Sequence, residues 1–306
     1  MQRRKFIQKA PALAALPYLV SCAGEKKSNE ETETTDSTTS TTKNLEEIGV
    51  QIYTLRNELA ENVEQTLEKV ASIGYNYFES YMLNGVHNLG YSVKDFASLL
   101  KSLNLKMISA HVNTGQTDPS QEGTLVNGFE QVAENAAELG QKFIVCPYLT
   151  NEERQTIDDY KRLCDILNKC GEICKKNGLQ FGYHNHDFEF ETLEGEVPFD
   201  VIAANTDKDL VKFELDLYWV RKAGKDILTY FEKYPGRYPL WHVKDMEDSE
   251  EQFFAEVGSG VIDFKKIFQA SEVSGMEYFF VEQDQTRKTP FESITISYNY
   301  LKQLAI

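Results

Sequence analysis

An alternation of two periodicities constrains this chain more than any other feature. From Leu45 onward, short apolar, β-branched or aromatic runs take turns with stretches of helical spacing. The predicted strands are Ile48–Thr54, Tyr75–Tyr81, Leu105–Val112, Lys142–Tyr148, Leu179–Phe190, Val211–Val220, Pro239–Met246 and Tyr278–Asp284. Between them apolar residues recur at three and four, as in Val63-x-x-x-Leu67-x-x-Val70-Ala71 and Leu163-x-x-Ile166-Leu167-x-x-Cys170. Glycines 74, 140, 178 and 275 follow helical runs, where a left-handed residue ends a helix without strain. Strands that alternate with helices must pair in parallel, and eight such units close a barrel. A doubly wound sheet would carry a glycine-rich turn after its first strand, and Tyr53-Thr54-Leu55-Arg56-Asn57 has none. The expected fold is α/β: one (β/α)8 TIM barrel over residues 45–306.

The first 44 residues do not fit that pattern. Arg3-Arg4-Lys5-Phe6-Ile7 is a twin-arginine cluster, and the apolar run from Ala10 to Val20 is too short for a stable membrane span. The run ends in Leu19-Val20-Ser21-Cys22, which resembles a bacterial lipobox. Residues 1–21 therefore read as a signal peptide and Cys22 as the lipidated residue. Residues 28–44 hold no apolar side chain, so burial cannot offset their ordering entropy; 22–44 should be a disordered Ser/Thr/Glu-rich tether. The expectation is an exported lipoprotein, periplasmic or in the cell envelope, that meets the membrane only through its lipid.

A hydrophobic fraction of 41% with 12% aromatics is enough for a sizeable core. The net charge of −16 argues against nucleic acid, polyphosphates and anionic lipid surfaces as partners. Of the five cysteines, Cys164, Cys170 and Cys174 share one helical stretch and none forms a CxxC pair, so buried free thiols are expected.

Inward positions of barrel strands normally hold aliphatics. Here period-two alternation puts His184 and His186 on one face of strand five, and Glu214, Asp216 and Tyr218 on one face of strand six. It does the same for His242 and Lys244 on strand seven, and for Phe280, Glu282 and Asp284 on strand eight. Desolvating such groups singly would cost several kcal/mol. Gathering His, Asp and Glu around one divalent ion removes that cost. Mixed N/O ligation without thiolate admits Mn, Co, Fe, Ni or Zn.

With these motifs the chain resembles the sugar phosphate isomerase/epimerase superfamily, the xylose isomerase-like barrels. The resemblance is carried by Gly49-Val50-Gln51-Ile52-Tyr53, Tyr183-His184-Asn185-His186-Asp187, Glu214-Leu215-Asp216, Trp241-His242-Val243-Lys244-Asp245 and Val281-Glu282-Gln283-Asp284. It implies a metal held from strands five to eight by Glu, Asp, His and Glu. Asp216, His242 and Glu282 match the last three, and His184 stands where the first Glu would be. Either His184 or His186 can be the strand-five ligand, and Glu189 is an outside candidate on the opposite face. A His-rich strand five is closer to the dehydratase-like members than to the two-glutamate ketose 3-epimerases.

The implied chemistry is proton abstraction next to a carbonyl. Glu282 is the expected ligand and base, His186 the proton donor, and Lys244 the partner of a developing oxyanion unless it is tied to Asp245 or Glu214. His111, Glu79 and Trp219 are candidate substrate-binding groups. The expected enzyme is a lyase, hydratase or isomerase acting on a non-phosphorylated keto sugar, cyclitol or oxidised glycoside. A ketose 3-epimerase and a non-catalytic sugar-binding lipoprotein are the alternatives.

Overall fold

The computed structural model describes residues 45–81 and 89–306. The predicted signal peptide, Cys22 and tether lie outside the described residues, as does His87. The strands are β1 (Gly49–Gln51), β2 (Tyr77–Ser80), β3 (Lys106–His111), β4 (Phe143–Cys146), β5 (Gln180–His184), β6 (Val211–Asp216) and β7 (Leu240–Val243). A short antiparallel pair follows, β8 (Asp245–Met246) with β9 (Phe254–Ala255), and then β10 (Tyr278–Val281). Strands β1 to β7 and β10 pair in parallel and close a barrel in the order β1-β10-β7-β6-β5-β4-β3-β2. This is the predicted (β/α)8 barrel, every predicted strand being present and shorter than its sequence pattern.

The shortening has local causes. Strand β6 stops at Asp216, whose Oδ1 accepts the Trp219 N–H at 3.0 Å and caps the helix Leu217–Lys222. Tyr218, predicted to point inward, is thereby carried away, and its hydroxyl bonds to the Gln252 carbonyl oxygen. Strand β5 stops at His184, and Phe188–Phe190 turns as a 3-10 helix.

The barrel interior is layered. Tyr77, Ile108, Phe143, Val145, Leu240 and Phe280 form an apolar floor. In β3 both Ile108 and His111 face inward although three residues apart; the register between β2 and β3 slips at Phe78/Glu79, and the bulge reverses the alternation. Outside the barrel the helix Ile157–Lys176 turns Leu163, Leu167, Cys170 and Cys174 into the main core. Cys146, Cys164, Cys170 and Cys174 are buried free thiols, as expected. No described helix is long and apolar enough to cross a membrane.

Candidate metal centre

Above the apolar floor seven of the barrel strands deliver polar side chains at or just beyond their C-terminal ends. Register places Asp216 beside His242 and His184 beside Glu214. Ligand atoms of His184, Asp216, His242 and Glu282 all lie within 4.8 Å of one another, and all four residues are buried. His184 Nδ1 is 2.9 Å from the Pro147 carbonyl oxygen, to which it can only donate. Its Nε2 is then left as the acceptor, 3.2 Å from Asp216 Oδ2. Asp216 is held through its backbone, its N–H donating to Asn185 Oδ1 at 3.1 Å.

His242 Nδ1 is 2.9 Å from Glu282 Oε2 and 3.7 Å from Asp216 Oδ2, yet it makes no hydrogen bond of acceptable geometry. A fully buried imidazole nitrogen that sits among carboxylate oxygens without aiming at one of them is placed as a ligand would be. Two imidazoles and two carboxylates without sulfur also suit a borderline divalent cation. The residues present therefore fit a metal ion.

Of the two strand-five histidines, His184 is the one grouped with Asp216, His242 and Glu282. His186 lies beyond the end of β5, with its ring stacked on Phe188 at 5.5 Å and packed against Trp219 at 5.2 Å and Tyr148 at 5.1 Å. Burial, with His184 and Lys244 nearby, holds it well below the usual imidazole range and hence neutral. Glu189 is spent elsewhere: its oxygens accept the Tyr183 hydroxyl at 2.6 Å and the His186 N–H at 2.8 Å.

Lys244 has neither of the partners anticipated for it. Its Nζ contacts Asp216 Oδ2 at 2.9 Å, Glu282 Oε2 at 2.6 Å and Asp284 Oδ1 at 2.6 Å. Burial alone would favour the neutral amine, but the three carboxylates hold the ammonium well above its ordinary pKa. Against the same burial, the Lys244 ammonium keeps Glu282 ionised far below the carboxylate range. Asp245 instead accepts the N–H groups of Met246, Gly258, Gly260 and Ile262.

Glu79 does not lie where a substrate can reach. It is 0% exposed, below the ligand group, and Gln51 Nε2 donates to its Oε1 at 2.7 Å. His111 lies at the edge of the site: it is 8% exposed, its Nε2 is 2.9 Å from both Glu79 Oε1 and Glu214 Oε2, and those carboxylates raise its pKa to about 9 against burial. Glu214 and Gln51 were legible as residues of the motifs, but alternation along single strands could not show that they meet. Above the ligands a cavity of about 410 Å³ opens, walled by Tyr53, Tyr81, Tyr148, His186, Lys244 and Asp284 among others. That is a size suited to a small organic ligand. Trp219 stands behind His186 and is partly buried.

Residues 67–302 match the family model of the xylose isomerase-like TIM barrel. The chain belongs to that family. A sugar phosphate isomerase/epimerase from Parabacteroides distasonis is 29% identical and superposes with a TM-score of 0.71 over 88% of this chain and 97% of its own. The IOLI protein with a bound zinc atom shares the barrel at 18% identity, with a TM-score of 0.62 over 83% and 95% of the two chains. An inosose dehydratase from Lacticaseibacillus casei is 30% identical over 165 residues, 48% of this chain and 55% of that relative. The chain thus spans about half the length of the first dehydratases it matches. In this chain the ring of ligand-capable side chains lies at the barrel's C-terminal end, where enzymes of this fold keep their active sites.

Proposed function

We propose that this protein is a divalent-metal-dependent lyase of the dehydratase type, or an isomerase, acting on a non-phosphorylated keto sugar, cyclitol or oxidised glycoside. The observation that carries the reading is the unpartnered His242 Nδ1 amid His184, Asp216 and Glu282 at the floor of the cavity. The similarity to inosose dehydratases and to a sugar phosphate isomerase/epimerase supports a sugar-modifying reaction. Among the described residues that line the cavity Lys244 is the one Lys or Arg, and its ammonium is already shared by three carboxylates.

His184, Asp216, His242 and Glu282 would hold the ion, which supplies Lewis-acid polarisation of the substrate carbonyl. Glu282, held ionised by the Lys244 ammonium beside it, is taken here as a ligand. His186 is the neutral group on the cavity wall. In this reading a ring nitrogen takes the proton next to the carbonyl, the C–H electron pair delocalises onto the carbonyl oxygen, and its return forms a C=C bond as a hydroxyl departs from the carbon beyond. The imidazolium so formed is disfavoured by burial and by His184 and Lys244 nearby, so it returns the proton to the departing oxygen and releases water. Lys244 steadies the negative charge that develops meanwhile.

Elemental analysis of residues 45–306, with Asp216→Ala and His242→Ala alongside, tests the metal. About one equivalent in the wild type, lost in both variants, is expected. Turnover in D2O then tests the proton step, since label must appear in recovered substrate or product. One observation favours a second reading: Lys244 already neutralises the same Asp216 and Glu282 oxygens. A sugar-binding protein with that ammonium as its internal cation would bind keto sugars without metal, and wild type free of metal after incubation with Mn, Co or Zn would select it.

A further inference from the structure

Beneath the candidate ligands lies a layer that the proposed reaction does not use. His242 joins the two levels. Its Nε2 is 2.8 Å from Glu79 Oε1 and 3.1 Å from Glu214 Oε2, while its Nδ1 opens upward onto Asp216 and Glu282. Both lower carboxylates are 0% exposed. His111 Nε2 touches the same two oxygens at 2.9 Å each. Gln51 is fixed in turn, its Oε1 accepting the Tyr53 N–H at 3.0 Å and its Nε2 donating to Glu79.

We propose that Glu79 and Glu214 are positioning residues for His242: they keep the ring proton on Nε2 and so turn the Nδ1 lone pair toward the metal site. This inference rests on the metal reading above. A neutral imidazole has one donor and one acceptor nitrogen; both nitrogens of His242 face carboxylate oxygens, but only Nε2 has hydrogen-bond geometry to one, Glu79 Oε1 at 2.8 Å, while Nδ1 has none, so Nε2 is the donor. The opposite nitrogen is then necessarily the ligand. Two anions at the centre of a barrel, where aliphatics would pack without penalty, are otherwise an expense with no structural return. His111 and Gln51 supply the donors that make the pair tolerable there. Carboxylates that orient metal-bound imidazoles in this way govern affinity as well as geometry.

The same four residues, Glu79, His111, Glu214 and His242, also bring ligand atoms within 4.8 Å of one another. A second ion among them would need the Nε2 of His242 stripped of its proton, which makes the two uses exclusive while Nδ1 binds metal.

The test compares wild type, Glu79→Gln and Glu214→Gln. Zinc affinity is measured by competition with a chromophoric chelator, and imidazole tautomers by 15N–1H spectroscopy of the zinc-loaded protein. Wild type should bind one equivalent, with a downfield, slowly exchanging His242 Nε2–H. Each variant should bind zinc 10–100-fold more weakly and shift that proton upfield. Wild-type His242 protonated at Nδ1 would overturn the proposal even if neither variant folds. So would variants that match wild-type affinity within about twofold, or a second zinc equivalent that Glu79→Gln removes. Wild type that takes up no zinc at all would instead remove the metal reading, and this inference with it.

Discussion

Lys244 is the residue whose removal separates the two readings of the site. Its ammonium is 1% exposed on its side chain and touches Asp216, Glu282 and Asp284. Lys244→Met leaves three carboxylates without their cation, and breaking a buried pair in this way costs roughly 3–5 kcal/mol. The metal-free variant should melt well below wild type. If the four ligands bind a divalent ion, saturating zinc should raise the variant's melting temperature more than the wild type's, because the ion supplies the missing charge. Equal responses to zinc would argue that Lys244 itself is the cation of the site. Glu189 offers a second test. Burial lifts its carboxyl to about 7 in the fold, against an ordinary value of 4.5. Between those values the folded state holds a proton that the unfolded chain has released, so stability falls as pH rises through the window. The full loss, roughly 3 kcal/mol, is in place above the folded value. Urea unfolding at pH 5 and pH 8 should therefore show Glu189→Gln gaining on wild type as pH rises; a pH-independent difference would contradict the shift. Residue types and strand parity made His184, Asp216, His242 and Glu282 readable from sequence. The lower pairing of His242 with Glu79 and Glu214 was not, because it joins strands 163 and 28 residues apart in the chain and depends on how the barrel closes.

At the scale of elements, the positions of all eight barrel strands were legible and their ends were not. Alternation continues past a strand end whenever a capping residue has the right parity, which is why Asp216 concealed the start of the helix Leu217–Lys222. The bulge in β3 was equally invisible, since Ile108 and His111 violate the period that a sequence pattern relies on. Asp245 shows a different kind of hidden role. It follows directly after Lys244 and read as that residue's partner, yet it organises the loop after β7 by accepting four backbone N–H groups. Gly260 lies so close that a Cβ there would overlap the Asp245 carboxylate and the Met246 carbonyl oxygen. Asp245→Ala would leave four donors unpaired, two of them on residues that are buried. A stability loss of about 3 kcal/mol or more is expected. The same loop abuts Lys244, so zinc affinity should weaken too, and chelator competition on the folded variant would measure it. An unchanged melting temperature would show that the loop holds without its clamp.

At the scale of the whole molecule, the barrel and its address remain separable propositions. The barrel over residues 45–306 contains every residue of the candidate site, while Cys22 and the Ser/Thr/Glu-rich stretch precede it. We propose that the chain is exported and tethered through lipid on Cys22. The full chain's net charge of −16 disfavours adsorption to an anionic membrane surface, which leaves a lipid as the means of attachment. That separation makes a clean prediction. Cys22→Ser should move the protein from the membrane fraction to the soluble fraction and abolish labelling by a radioactive fatty acid. Zinc affinity and melting temperature should stay at wild-type values, because the candidate ligands, floor residues and clamp among the described residues all lie after Leu45. Retention of the variant in the membrane fraction, with label still incorporated, would mean that another feature anchors the chain. Loss of zinc binding along with release would mean instead that the leading segment takes part in the site, and the barrel could no longer be treated as the functional unit.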